Sequence, residues 1–262
     1  MAKLKVIGIK SGCANWLSLY FVKKTMLLQY SALLIFLISG TVLSIYFKKL
    51  TPIAAITGLV CALAVFAGAS YTGVAIMTAF FVTATIVTSW KRNLKQQLYT
   101  EAADDGRRKS SQVIANAGVA AIAGLLNIFF YPEGIIWPLI IAAAFSAACG
   151  DTVSSELGTV YGKKFFNILT FKPDKRGLDG VVSLEGTLLG AIGSLLIAGV
   201  YFIGYQSLQG AVVVAICGVF GNLFDSFLGA LLERKGLLKN DAVNFLNTLA
   251  AALLAAFISL QK

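Results

Sequence analysis

The chain has 262 residues, of which 58% are apolar and only 13% charged, and its formal net charge is +10. A soluble domain of this length needs charged faces throughout, whereas here about twenty residues at a time pass without a charge, enough for a hydrocarbon core about 30 Å thick. That excludes a soluble fold, and because Lys and Arg gather at span ends, where they set orientation, the basic balance is no sign of a nucleic-acid partner.

In chain order, residues 1–25 carry Lys3, Lys5, Lys10, Lys23 and Lys24, and the apolar piece Ala14–Val22 is too short to span. They are expected to form a basic surface arm, or to precede a native start at Met26, with residues 26–262 forming one integral membrane domain. Apolar runs then follow at Met26–Phe47, Pro52–Gly68, Tyr71–Trp90, Gln112–Tyr131, Ile135–Gly150, Ser183–Tyr205, Ala211–Leu231 and Ala242–Leu260. Backbone polar groups in lipid must be satisfied within the segment, so these are helices. The predicted fold is all-α, a polytopic transmembrane bundle of about eight spans.

The joints Ala69–Ser70, Pro132–Gly134 and Gln206–Gly210 hold no Lys or Arg. Lys48–Lys49, Lys91–Ser111, Asp151–Val182 and Glu233–Asp241 are basic. The positive-inside rule puts the basic connections on the cytoplasmic side of a multi-pass protein, expected in a bacterial cell membrane. The N-terminal lysines disagree with that orientation.

The four cysteines, Cys13, Cys61, Cys149 and Cys217, have no CxxC spacing, and the chain has no His, so disulfides and a zinc site are not expected. The absence of His and of a Cys nucleophile removes triad hydrolase mechanisms, and the absence of a GxxxxGK[ST] segment removes P-loop kinases.

The chemistry sits in polar runs at the basic surface. Gly150-Asp151-Thr152-Val153-Ser154-Ser155-Glu156-Leu157-Gly158 follows a span, and in a helix Asp151, Ser154, Ser155 and Gly158 share a face. A carboxylate, two hydroxyls and bare backbone suit a hydrated Mg²⁺ carrying a polyphosphate, and suit equally a Ser/Gly helix contact with an interfacial acid. Asp225, in Asn222-Leu223-Phe224-Asp225-Ser226, lies six residues before Leu231, roughly 9 Å inside its span. A carboxylate there has a partner or a task.

Arg107, Arg108, Gln112 and Asn116 offer donors for phosphate oxygens, beyond what anchoring explains. The turn at Gly177-Leu178-Asp179-Gly180 leads to Ser183 and a span, an arrangement that aims backbone N–H groups at an anion, while Gly186, Gly190 and Gly193 read as helix packing. Asn240 and Asp241 open the last span, with Asn240 as its cap and Asn244 one turn on. Lys163, Lys164, Lys172, Lys175 and Arg176 screen a polyphosphate or an anionic lipid, or simply anchor.

In order, GRRKSSQVIANAG, GDTVSSELGT, DGVVSLEGTLLGAIGS, GNLFDSFLGALL and NDAVNFLN resemble the signatures of the domain-of-unknown-function 92 family, which includes transmembrane protein 19 and a chloroplast phytyl-phosphate kinase. The family's usual Asn-Gly-Gly turn is here Asp179-Gly180-Val181. The resemblance implies phosphoryl transfer from CTP or another nucleoside triphosphate to an isoprenyl monophosphate lipid, giving the diphosphate. On it, Asp151, Glu156 and Asp225 are catalytic and hold Mg²⁺, joined by Asp241. Arg107, Arg108, Gln112, Asn116, Ser154, Ser155, Gly180, Ser183, Ser226, Asn240 and Asn244 then bind phosphates. Two other classes stay open: a transporter of a small anionic or lipid solute, and a nucleotidyltransferase forming CDP-lipid. The sequence leaves the oligomeric state open.

Overall fold

The computed structural model describes residues 7–96, 106–130 and 136–261, with residues 7–26 as backbone only. The start of the basic arm and the Pro132–Gly134 joint lie outside the described residues. Helix α1 runs Ile7–Tyr46, and its stretch Leu27–Tyr46 is long and apolar enough to cross a membrane. Six further helices meet the same condition: α2 (Pro52–Ser89), α4 (Ser110–Phe129), α5 (Ile136–Tyr161), α6 (Leu184–Tyr205), α7 (Leu208–Leu228, continued to Glu233) and α8 (Asn240–Leu260). Helix α3 (Arg92–Gln96) is a short connector.

Helix α2 accounts for the difference between seven such helices and eight crossings. Its 38 residues would stretch about 57 Å, almost twice a hydrocarbon core. Ser70 breaks it, with φ 53° and ψ −149°. The two arms fold back on one another: Ala62 and Val74 share one core with Leu33 and Leu37, and Ala55 packs with Phe81. At the open end Lys49 Nζ donates to Ser89 Oγ at 3.0 Å. These pairings run antiparallel about Ser70, so α2 is a helical hairpin that crosses twice. Thr51 caps its start, accepting from the Ala54 N–H at 3.2 Å, with Pro52 in the first turn, where its missing N–H costs nothing.

Helix α5 is the centre of the bundle, packing against α2, α4, α6, α7 and α8. Its residues Leu139 to Gly150 are all buried. Small residues let its neighbours close in. A Cβ on Gly150 would come within 3.2 Å of the Gly190 carbonyl, and one on Gly158 within 2.8 Å of the Gly186 Cα. The hydroxyls of Ser146 and Ser194 each donate to the other's carbonyl, at 3.2 and 3.3 Å, stapling α5 to α6. The glycines read from the sequence as packing do pack.

The basic connections meet at one end of the bundle. Arg108 is strapped to the α1–α2 turn, its N–H donating to Lys49 O at 3.0 Å and its carbonyl accepting from Thr51 N at 3.1 Å. The loop after α5 carries strands β1 (Phe166–Asn167) and β2 (Val181–Val182), paired antiparallel. Asp174 holds Arg234 across this surface at 2.6 and 3.2 Å. At the opposite end Tyr205 Oη donates to Ala69 O and Asn127 Nδ2 to Ala67 O.

Candidate active site

Helix α5 does not stop at Gly150, as the apolar pattern predicts, but continues to Tyr161. The Asp151–Gly158 run is therefore helical, and the close approach of α5, α6 and α7 sets Asp151 against Asp225. The two carboxyls face each other within hydrogen-bonding reach. Asn247 of α8 completes the group, its Nδ2 donating to Asp225 Oδ1 at 2.6 Å. Asn247 is wholly buried, and its Oδ1 has no hydrogen-bond partner.

The charges acting on this pair are all negative. Glu233 and Glu156 act on Asp151, and Asp179 acts on Asp225. Two half-buried carboxyls in contact, with no Lys or Arg among the described residues acting on them, share a proton or hold a cation. Their carboxylate oxygens give an all-oxygen donor set, which suits a hard divalent cation such as Mg²⁺, while the Asn247 amide orients one of them. Among the described residues no third acid, Cys or His joins them at metal-holding distance. Mg²⁺ takes one or two carboxylates and draws its remaining ligands from phosphates and water, so the pair fits that ion as a nucleotide carries it.

Glu156 stands apart from the pair. It lies five residues beyond Asp151, about 140° around the helix axis, and is engaged by Lys95. The buried Lys95 ammonium donates to Glu156 and also to the Val87 and Thr88 carbonyls, at 2.9 and 2.8 Å, so it caps the second arm of α2. Asp241 lies in the first turn of α8, where it contributes to the charge around Glu233 rather than to the pair.

The hydroxyls and amides expected to bind phosphate divide in the same way. Ser154 faces α6, its Cβ against Gly190, but Ser155 is exposed and donates back to Thr152 O at 3.2 Å. Ser183 caps α6, accepting from the Gly186 N–H at 3.1 Å, and Ser226 donates to Asn222 O at 3.3 Å in its own helix. Gln112 accepts from the Lys109 N–H at 2.9 Å, which locks the start of α4, and Asn116 Nδ2 donates to Gln112 O at 2.9 Å.

Asn240 does not cap α8. Lys239 is the extended residue, and its carbonyl already takes the Ala242 and Val243 N–H groups, leaving Asn240 inside the first turn. Asn244 is half-buried on the Asn240–Asn247 face. Gly180 has φ +70°, and a Cβ there would strike the Ala230 backbone, so the turn needs glycine and seats Asp179 against the π-helical turn Gly229–Glu233. Val181, where the family has its second glycine, starts β2.

Asn247, to which the sequence assigns no role, and Arg176, one of several loop cations, both matter here. Asn247 is the group that positions Asp225, and its signal is an amide in an apolar helix three residues after Asn244. Arg176 is one of five loop cations that the sequence offers to a polyphosphate or an anionic lipid, or as anchors, and the structure sets it apart from the other four. Its Nε and Nη2 are buried without a partner, and its guanidinium lies over the Phe165 ring, 5.9 Å from the centroid. Those two nitrogens form the side-on fork that grips an oxyanion. Arg108 donates from Nη2 to Thr88 Oγ1 at 3.3 Å, and burial lowers its pKa against the opposing pull of Glu156. Arg107 is engaged with another group.

The comparisons with known proteins converge on one group. The family profile described as integral membrane protein DUF92 matches residues 32–252. An uncharacterized membrane protein of Methanocaldococcus jannaschii is 34% identical over 188 residues, 70% of this chain and 74% of that protein. One of Synechocystis is 33% identical over 214 residues, 79% and 82% of the two chains. The chloroplastic protein VTE6 of Arabidopsis thaliana is 32% identical over 197 residues, 71% of this chain and 59% of its own. No solved structure matches the chain.

Proposed function

From the premise that this chain belongs to the DUF92 family of integral membrane proteins, we propose that it is a membrane-embedded kinase for isoprenyl monophosphates. Its phosphoryl donor is a magnesium nucleoside triphosphate, CTP by the family resemblance, and its active surface faces the cytoplasm. The observation that carries the reading is the half-buried Asp151–Asp225 pair, without a balancing cation among the described residues and braced by Asn247.

Asp151 and Asp225 would hold Mg²⁺, which when bound neutralises charge on the nucleotide's phosphates. In the reaction a terminal oxygen of the lipid phosphate attacks the γ-phosphorus, a new P–O bond forms and the bond to the β-phosphate oxygen breaks. The products are the isoprenyl diphosphate and the nucleoside diphosphate. Catalysis of this kind is mainly positioning and charge stabilisation. Arg176 presents its fork to phosphate oxygens, Asn247 keeps the Asp225 carboxylate oriented, and Gly180 lets the loop close down on the π-helical turn.

The test is a panel of nucleotides against phytyl, geranylgeranyl and shorter isoprenyl phosphates with purified protein and Mg²⁺. The expected outcome is diphosphate formation with CTP, abolished in Asp151→Asn while the protein stays folded. Solute uptake into liposomes with no turnover anywhere in the panel would replace the kinase with a transporter.

A further inference from the structure

An apolar space lies away from the acid pair, between α1 and the α2 hairpin. It is a cleft of about 140 Å³ with a nearly all-carbon wall. Three hydroxyls line it, and each is turned back on its own helix: Thr41 to Leu37 O, Ser44 to Thr41 O and Thr78 to Val74 O, all at 2.8 Å. Such hydroxyls offer nothing to a polar ligand. A second cavity of about 50 Å³ shares Leu50, Gly58, Met77 and Phe81 with the cleft, so the two lie on either side of the same side chains. The second cavity ends on Arg108, Gln112 and Asn116.

The two neighbouring spaces together are apolar on the α1 side and reach Arg108 on the other. That side is at the basic surface, where Arg108 is strapped to the α1–α2 turn. Phe145 of α5 lines it too, six residues before Asp151 and thus about 9 Å away along the same helix. The complement of this shape is an amphiphile with a long hydrocarbon chain and a compact anionic head.

We propose that the cleft between α1 and the α2 hairpin receives the isoprenyl tail of the lipid phosphate, with Arg108 taking its head, and that Gly40 and Gly58 set the usable tail length. This rests on the kinase reading given above. Both glycines line the cleft, and a Cβ added at either meets nothing within 4 Å, so each leaves open volume rather than a close helix contact. Gly58 is six residues into the first arm from Pro52 and Gly40 six from Tyr46, which puts both about 9 Å below the basic surface. A side chain there fills the path that a long tail needs and leaves the head position alone.

The experiment uses full-length Gly58→Leu and Gly40→Leu with geranyl and geranylgeranyl phosphates as the two substrates. The readout is the ratio of kcat/KM for the longer tail over the shorter, and thermal unfolding checks that the fold is kept. Losing the contacts of even one or two methylenes in an apolar site changes discrimination by about tenfold or more. The ratio is expected to fall at least ~10-fold in both variants, whereas Arg108→Lys raises KM for both tails together.

Wild-type turnover with an unchanged ratio in both glycine variants overturns the tail site and leaves the kinase reading standing. Loss of a co-purified phospholipid in Gly58→Leu, again with the ratio unchanged, assigns the cleft to a bilayer acyl chain. Absence of wild-type turnover with any isoprenyl phosphate overturns the kinase reading itself, and the tail site with it.

Discussion

Replacing Asn247 by Leu separates the acid pair's function from its contribution to the fold. The substitution keeps nearly the same volume and removes the 2.6 Å hydrogen bond to Asp225 Oδ1. A hydrogen bond to a charged group contributes about 1.5–3 kcal/mol, while an unsatisfied buried oxygen costs about 1–3 kcal/mol. Leu loses the first and also removes the partnerless Oδ1, so the two effects largely offset and the unfolding temperature should move little. The orientation of the Asp225 carboxylate has no such compensation. Groups that orient metal ligands typically control about 10- to 100-fold in metal affinity, so the Mg²⁺ concentration for half-maximal turnover should rise by that factor. The assay is a Mg²⁺ titration of turnover beside thermal unfolding of the same preparation. An unchanged half-saturation in a normally folded variant would refute the assignment of Asp225 to the metal.

Three more outcomes follow from the neighbouring groups. Lys95→Met leaves Glu156 without its buried partner and should destabilise by about 3–5 kcal/mol; the double variant Lys95→Met, Glu156→Gln should regain part of this and keep its turnover, because Lys95 engages Glu156 away from the acid pair. Arg176→Lys keeps the charge but loses the fork, so nucleotide KM should rise about tenfold, equivalent to about 1.4 kcal/mol, with tail-length preference unchanged. Gly180→Ala forces a Cβ into Ala230 at a positive φ and should expose the 162–183 loop to limited proteolysis while the helices stay intact.

The spans were legible because charge-free runs and basic joints are properties of composition, and the joint at Ala69–Ser70 is the place where α2 turns back. Asp225 was legible for a similar reason, as an acid inside an apolar run. What the sequence could not give was direction around each helix. Asp151 and Glu156 look equivalent as neighbouring acids, yet one faces α7 and the other is taken by Lys95 from a distant connector. Ser183, Gln112 and Ser226 read as donors for a ligand because nothing local shows that their oxygens are used in capping or back-bonding. Asn247 escaped notice because its role comes entirely from a partner 22 residues away on another helix. Arg176 could not be told from the anchoring lysines until its burial was known.

The most direct measurement of the central claim follows the fate of labelled phosphate in CTP. Purified protein with Mg²⁺ and geranylgeranyl phosphate should move a γ-phosphate label into the organic-soluble diphosphate and leave an α-phosphate label in water-soluble CDP. An α-label in the lipid would make the protein a nucleotidyltransferase, and no label in the lipid from either position would contradict phosphoryl transfer at Asp151 and Asp225 altogether.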